Sequence, residues 1–182
     1  MNRQLRNTII PDIVTVHKRG RSVGIYSICS AHPFVLEACM LQGLKDGSPL
    51  LIESTCNQVN QFGGYTGMTP KDFVAYVRGI AQDTNFPFEN VILGGDHLGP
   101  NVWQDEPAES AMQKSEQLVR DYVQAGFVKI HLDPSMRLGD DPQCALDVEV
   151  SANRAARLAK VAEDAFTLSR REPPSGMIRG RG

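Results

Sequence analysis

Short apolar runs alternate with longer segments of helical period along most of the chain. Four runs rich in β-branched residues predict strands at 23–29, 49–55, 91–96 and 127–133. Each run is followed by a segment in which apolar residues recur every three or four positions, which is the spacing of one helix face. Because a helix joins each strand to the next, the strands should pair in parallel, with both faces covered. The pattern therefore predicts four βα units around a parallel sheet.

Local signals indicate where the predicted helices begin and end. The pairs His32-Pro33 and Thr69-Pro70 each place proline at the favoured first helical position, and the threonine can also cap its helix. A third helix spans roughly 108–125 and should end before Gly126, a typical residue after a helix end. An alanine-rich helix is expected around 148–166.

Two architectures accommodate a parallel βα pattern, a doubly wound sheet and a closed barrel. A doubly wound sheet usually carries a glycine-rich phosphate turn after its first strand, and ICSAHP at 28–33 is not such a turn. A full (β/α)8 barrel takes about 250 residues, whereas this chain has 182. The expected fold class is therefore α/β, with parallel βα repeats of the TIM (β/α)8-barrel type and only the first four units present.

The end of the chain breaks the pattern. Residues 1–166 are expected to form the partial barrel domain, and residues 167–182 a divergent, disordered tail. The tail sequence, TLSRREPPSGMIRGRG, has no period and little to bury. A disordered tail explains it, and so does loss of the coding frame near Pro173. We favour the second explanation, because a half barrel leaves strand edges that a complete protein would cover.

Composition excludes several classes of function. The net charge of −2 gives no electrostatic footprint for nucleic acid, and no apolar run approaches the roughly 20 residues of a membrane helix. The N-terminal stretch lacks a signal-peptide cleavage pattern. The four cysteines lack CxxC spacing, which indicates reduced thiols in a cytoplasmic protein, with Cys29 and Cys56 in the core. We expect neither a nucleic-acid partner nor a membrane.

Polar residues gather where the predicted strands end, which is where βα proteins carry their sites. Three of the four histidines lie in the strand ends CSAH, ESTCNQVNQ, DHLGPN and HLDPS. The pair Asp96-His97 has two interpretations of about equal weight. Asp96 could move a proton while His97 binds a metal, or both could serve only as local hydrogen-bonding groups. A zinc site needs three protein ligands, and no HxH or HExxH spacing supplies the others.

Other strand-end residues are candidates for substrate binding. Glu53 ends an apolar strand and must find a partner, either a sugar hydroxyl or a neighbouring strand. Asn57, Gln58 and Asn60 lie in a glycine-rich loop whose amides suit a sugar or phosphate ligand, although turn chemistry explains them equally well.

His131 and Asp133 alternate along the fourth strand and should share one face. They are candidates for substrate binding, with a buried hydrogen bond between the two side chains as the default interpretation. No GxxxxGK(S/T) or GxGxxG motif argues for a nucleotide.

Four strings carry a family resemblance: SICSAHP, IESTCNQVNQFGGYTGMTP, ILGGDHLGPNVW and AGFVKIHLDPSM. Over about residues 13–166 the chain resembles the non-catalytic subunit of class II D-tagatose-1,6-bisphosphate aldolase, whose members are considerably longer. The resemblance implies a (β/α)8-like fold and a role in galactitol, tagatose or N-acetylgalactosamine breakdown. It also implies a catalytic partner subunit that holds the zinc ion and splits tagatose 1,6-bisphosphate into glycerone phosphate and glyceraldehyde 3-phosphate.

The same resemblance makes Asp96 and His97 counterparts of the proton-transferring aspartate and zinc-binding histidine of class II aldolases. The remaining zinc ligands there come from later strands, so we expect an incomplete site and no cofactor on this chain. The leading hypothesis is an accessory subunit, with a sugar phosphate as a further candidate ligand. The alternatives are a sugar-phosphate enzyme in its own right, meaning a metal-dependent aldolase or less plausibly a tagatose-6-phosphate kinase, and a half barrel too unstable to function.

Overall fold

The structure, a computed structural model, describes residues 3–171. Its helices and strands alternate after one leading helix, in the order α1 (Arg3–Lys18), β1 (Ser27–Cys29), α2 (Pro33–Asp46), β2 (Leu50–Thr55), α3 (Pro70–Asp83), β3 (Val91–Leu98), α4 (Ala108–Ala125), β4 (Lys129–Leu132) and α5 (Val148–Arg171).

The four strands form one parallel sheet in the order β1-β2-β3-β4. In a doubly wound sheet the order of the strands reverses at a switch point. Here each strand is added beside the previous one on the same side, as in consecutive units of a barrel. The predicted α/β class of parallel, barrel-type βα repeats is confirmed.

The two outer strands are shorter than the sequence pattern predicts. The runs 23–29 and 127–133 contribute only Ser27–Cys29 and Lys129–Leu132 to the sheet. Within residues 3–171 each pairs with a single strand, so fewer ladder hydrogen bonds hold it extended. The prediction that every strand is buried on both faces is wrong for both outer strands, because β1 exposes Ser27 and Cys29 and every residue of β4 is half-buried.

The predicted helix starts are found. Thr69 caps α3 by a capping box, in which its hydroxyl accepts from the amide of Asp72 at 3.3 Å and the Asp72 carboxylate accepts from the amide of Thr69 at 3.1 Å. Pro33 and Pro70 begin their helices. Helix α4 ends before Gly126, whose φ of 103° lies in the left-handed region that glycine adopts without strain.

Both ends of the chain differ from the sequence-based expectation. The first helix, α1, was not predicted, and it contains Pro11, a residue that normally interrupts a helical pattern. Helix α5 continues to Arg171, so residues 167–171 of the predicted tail are helical. The rest of that tail, 172–182, lies outside the described residues.

The core lies between the sheet and the helices that follow its strands. Helix α4 inserts Tyr122, which is fully buried and contacts Phe127 at 4.4 Å between ring centroids. Around it pack fully buried apolar side chains from the neighbouring helices and strands, namely Leu36, Met40, Leu50, Ile52, Phe73, Val77 and Leu118. This core packs against the sheet that carries the strand ends.

A bidentate ion pair fastens α5 to the loop after β4. Arg154 donates to both carboxylate oxygens of Asp141 at 2.7 and 2.8 Å, and Asp141 also accepts from the amide of Leu138 at 2.7 Å. The Arg154 hydrogen bonds lower the pKa of Asp141. Because the folded-state pKa lies below the unfolded value of about 4, ionised Asp141 stabilises the fold above that pH. The stabilisation is lost as pH falls through the folded-state pKa.

Asp141→Asn is therefore expected to lower the free energy of unfolding by about 1–3 kcal/mol at pH 7. The difference from the parent chain should shrink as the pH is lowered below about 4. Urea titrations across that pH range measure both effects. The matched control is Asp164→Asn, whose partner Lys160 is exposed, with an expected change within about 0.5 kcal/mol. Equal losses in the two variants would contradict the prediction.

Candidate metal centre at the carboxyl ends of the strands

A bulge in β3 positions the Asp96-His97 pair. The register between β3 and β4 shifts between Gly95 and Leu98, so the two residues fall in the irregular part of the ladder. His97 has a φ of 49°, in the left-handed region that non-glycine residues rarely adopt. Bulges re-aim side chains at sheet ends, and strained backbone is common at functional sites.

Two imidazoles converge on the carboxylate of Asp96. The Nδ1 atom of His97 lies 3.1 Å from Oδ2, and the Nδ1 atom of His131 lies 2.9 Å from Oδ1. The two rings stand 4.3 Å apart between centroids. Burial of the Asp96 carboxyl opposes its ionisation, but the hydrogen bonds from His131 and His97 outweigh burial and lower its pKa to about 2. The carboxylate is thus held ionised at the end of β3.

The expected hydrogen bond between His131 and Asp133 is absent from the bonds of the described residues. His131 contacts Asp96 on the neighbouring strand instead. Asp133 accepts from the amide and the hydroxyl of Ser135. The hydrogen bond from the Ser135 hydroxyl, which outweighs burial, lowers the pKa of Asp133.

A second cluster of charged side chains surrounds Glu53 on β2, the strand next to β3. This carboxylate is almost completely buried; it accepts from the hydroxyl of Ser27 and contacts the ammonium group of Lys129. Gly94 stands between Glu53 and Lys129 in the strand register, and a Cβ there would lie 2.6 Å from Oε1 of Glu53. The missing side chain lets the ion pair form across the middle strand. Glu53 therefore joins adjacent strands, one of its two predicted roles.

Lys129 was not singled out from the sequence. Its Nζ atom also lies 3.4 Å from Oδ1 of Asp96, so it bridges the two carboxylates. The signal that could have found it is a lone charge inside the apolar run FVKIHLD, two positions before His131. Such a residue shares a strand face with the histidine.

The polar loop after β2, residues 57–67, is called the amide loop below. Hydrogen bonds between its own side chains and nearby backbone groups hold it in place. Gln58 is buried, and its Oε1 atom accepts from the amide of Thr55 at 2.8 Å. Asn60 is also buried; its Oδ1 atom accepts from the amide of Phe62 at 2.8 Å, and its Nδ2 atom donates to the carbonyl of Cys56 at 2.9 Å. These contacts are the turn chemistry that the sequence offered as one explanation of Gln58 and Asn60, and their role in substrate binding stays a prediction. The third predicted amide, Asn57, is exposed at the surface of the loop.

The expectation for the two strand-end cysteines holds for one of them. Cys56 is buried in the core, whereas Cys29 is exposed on edge strand β1 beside Glu53, and the core assignment is wrong for it. Desolvation, together with the charges of Asp96 and Glu53, raises the pKa of the Cys29 thiol to about 11. Cys29 is therefore a neutral thiol at physiological pH, and a poor nucleophile.

Three side chains at this edge meet the spacing of a metal site. Among the described residues, Asp96, His97 and His131 each offer a ligand atom, and these atoms lie within 4.8 Å of one another. Two imidazoles and one carboxylate form a known zinc-ligand set. Sequence spacing missed the third ligand because His131 comes from the next strand. His32, the other strand-end histidine, contacts the ring of Phe34.

The charges around this cluster favour a cation over a phosphate. The carboxylates of Glu53 and Asp96 contact one ammonium group, that of Lys129, and the carboxylate of Asp133 interacts electrostatically with His97 and His131. With neutral imidazoles the formal charge of this cluster is negative, which repels an anionic sugar phosphate and attracts a divalent ion.

Within residues 3–171, no helix is long and apolar enough to cross a membrane.

Comparison with known proteins places these features in a family. The model of the D-tagatose-1,6-bisphosphate aldolase subunit GatZ/KbaZ-like family matches residues 10–180. The chain belongs to this family. The match confirms the family resemblance drawn from the sequence.

Individual GatZ/KbaZ-like relatives are much longer than this chain. The D-tagatose-1,6-bisphosphate aldolase subunit GatZ of Salmonella gallinarum is 57% identical over 156 residues, covering 86% of this chain and 37% of the relative. The GatZ subunit of Klebsiella pneumoniae is 59% identical over 153 residues, covering 84% and 36%. The chain thus spans under two-fifths of the length of these relatives.

A solved structure shares the fold. The crystal structure of a probable tagatose 6 phosphate kinase from Sinorhizobium meliloti 1021 superimposes with a TM-score of 0.76 and 57% identity. The overlap covers 79% of this chain and 37% of that protein. Its name differs from that of the GatZ relatives, although the similarity to this chain is as high.

Proposed function

We propose that this chain acts as an accessory subunit of a class II tagatose-bisphosphate aldolase. In this role it binds a separate zinc-dependent catalytic subunit and supports its stability and activity in cytoplasmic carbohydrate breakdown. The observation that carries the proposal is the family match over residues 10–180, together with 57–59% identity to proteins named as GatZ subunits. The four free cysteines suit a reducing cytoplasm.

The electrostatics of Asp96 support an accessory role over an independent aldolase. A general base works best when its pKa lies near the working pH. The pKa of Asp96 is lowered to about 2, despite the opposing effect of burial, by hydrogen bonds from two histidines. Such a carboxylate takes up a proton poorly at neutral pH. Asp96 therefore suits a ligand or an ion-pair partner better than the proton carrier of an aldol cleavage.

The kinase alternative has less support. The chain carries neither a GxxxxGK(S/T) nor a GxGxxG motif, so it lacks these two arrangements of backbone amides for nucleotide phosphates. The negative formal charge at the strand ends also disfavours a triphosphate.

Co-expression with a cognate zinc aldolase subunit tests the proposed role. Cleavage of tagatose 1,6-bisphosphate should be faster, or survive longer at working temperature, when this chain is present than when it is absent. The full-length Klebsiella pneumoniae GatZ subunit is the matched positive control, and this chain alone is the negative control. Activation by the longer subunit but not by this chain would contradict the proposal for this chain. Cleavage by this chain alone would replace it with an enzyme.

A further inference from the structure

We propose that Asp96, His97 and His131 bind one divalent transition-metal ion, with Zn²⁺ as the best-suited species. The site lies at the carboxyl ends of β3 and β4 and uses one carboxylate oxygen and one nitrogen from each imidazole. It is independent of the proposed accessory role. It also differs from the zinc site implied by the family resemblance, because His131 and Asp96 supply ligands that would otherwise come from later strands.

The distances between the ligand atoms fit a shared ion. Ligands bonded to zinc at about 2.0–2.2 Å stand roughly 3–3.5 Å apart in a tetrahedral shell. His131 Nδ1 lies 2.9 Å from Asp96 Oδ1 and His97 Nδ1 lies 3.1 Å from the other oxygen, Oδ2, while one ligand atom from each of the three residues lies within 4.8 Å of the other two. Only small side-chain movements are needed to admit an ion among the three groups.

The Nδ1 atom of His131 lies close to two groups that it cannot satisfy at the same time. Its Nδ1 atom lies 3.4 Å from the amide nitrogen of His97, a donor, and 2.9 Å from a carboxylate oxygen of Asp96, an acceptor. A neutral imidazole nitrogen carries either a proton or a lone pair, so it cannot serve both partners. With its lone pair directed to an ion, and the ion bonded to the carboxylate, the nitrogen and the oxygen are satisfied together.

The surroundings select for a borderline transition metal. Two imidazole nitrogens suit Zn²⁺, Co²⁺ or Fe²⁺, whereas Mg²⁺ and Ca²⁺ prefer shells made of oxygen. The ammonium group of Lys129 competes for Asp96 at 3.4 Å, but it contacts Glu53 more closely. The side chain of His97 is 57% exposed, so an ion can enter from solvent and keep coordination positions open for water or an oxygen ligand.

Metal titration of the intact 182-residue chain tests the site. After chelator treatment under reducing conditions, Zn²⁺ binding is measured by calorimetry and Co²⁺ binding by its visible absorption. We expect one ion per chain. Bound Co²⁺ should show the visible absorption bands of nitrogen and oxygen ligands, without the charge-transfer band of a thiolate ligand. We also expect Zn²⁺ to raise the thermal transition, because an ion that binds the folded state stabilises it.

Matched variants locate the ion. His131→Ala and Asp96→Asn should weaken binding by at least about 100-fold, since loss of even an outer partner commonly costs 10–100-fold. His32→Ala and His17→Ala remove histidines outside the cluster and should leave affinity unchanged. Cys29→Ser, which removes the thiol near Asp96, should also leave it unchanged. His131→Gln keeps a polar side chain and replaces His131→Ala if circular dichroism shows that the alanine variant does not fold.

Three results would overturn the proposal. The first is the absence of stoichiometric binding below millimolar Zn²⁺. The second is affinity that survives His131→Ala or His131→Gln in a folded chain. The third is a loss of binding in His32→Ala or Cys29→Ser as large as that in Asp96→Asn, which would place the ion elsewhere. None of these readouts depends on aldolase activity, so the accessory role and the metal site can fail separately.

Discussion

Lys129→Met is expected to lower the free energy of unfolding by about 3 kcal/mol, because it leaves a buried carboxylate without its counter-charge. The side chain of Glu53 is only 4% exposed, and its partners are the ammonium of Lys129 and the hydroxyl of Ser27. Methionine keeps most of the apolar stem of lysine, so little packing is lost. The Lys129 side chain is 29% exposed, which lets water solvate part of the vacated site and keeps the loss near the lower end for buried pairs.

A double-mutant cycle separates the ion pair from packing. Glu53→Gln combined with Lys129→Met removes both charges, and the double variant should be more stable than the sum of the two single losses predicts. Urea unfolding at pH 7 gives all four free energies. Lys160→Met is the matched control, since Lys160 pairs with Asp164 at an exposed position, and its change should stay within about 0.5 kcal/mol. Additive single losses would show that the pair is not coupled.

Element starts were predictable where the decisive residues are close in sequence. The capping box of α3 involves only Thr69 and Asp72, three positions apart, and the end of α4 depends on Gly126 alone. Helix α1 was missed because Pro11 lies inside it, and a proline within an apolar pattern normally ends a helix. The end of α5 was placed five residues early because the stretch 167–171 has no apolar period that marks it as helical.

The sequence predicted the Asp96-His97 pair but not that His131 joins it, and the reason is geometric. Residues two positions apart on a strand are about 6.5 Å apart, whereas partners on adjacent strands are about 4.8 Å apart. The sequence offers the first kind of neighbour, which suggested Asp133 as the partner of His131. The sheet supplies the second kind, and Asp96 is the partner observed. The three ligand candidates thus depend on the β3–β4 register and its bulge, which no local motif encodes.

The buried side chains of Gln58 and Asn60 show a second choice that the sequence leaves open. Gln58 and Asn60 were candidates for a sugar or phosphate because polar residues at strand ends commonly bind ligands. A tight loop also has amides of its own to satisfy, and buried backbone groups must be paired. Here the side chains serve the loop backbone. Deciding between the two roles requires the positions of the loop carbonyls and amides, which depend on packing against β2 and α4.

Tyr122→Ala is expected to lower the free energy of unfolding by about 4 kcal/mol, the middle of the range for removing a large buried aromatic side chain. Tyr122 is fully buried, and its ring contacts Phe127 beneath the sheet. Its hydroxyl shares hydrogen bonds with the Ser54 hydroxyl and the Val59 carbonyl, each at 3.0 Å. The side chain therefore fills the core and also ties α4 to the end of β2 and to the amide loop.

Tyr122→Phe separates these two contributions, because it keeps the ring and removes only the hydroxyl. The expected loss is about 1–2 kcal/mol, since Ser54 and the Val59 carbonyl remain buried with one partner fewer. Tyr65→Ala is the matched control at a position that is 74% exposed, with an expected change within about 0.5 kcal/mol. Urea titrations of the three variants give the free energies. If Tyr122→Phe cost as much as Tyr122→Ala, the hydroxyl network rather than ring packing would hold α4 against the end of β2 and the loop that follows it.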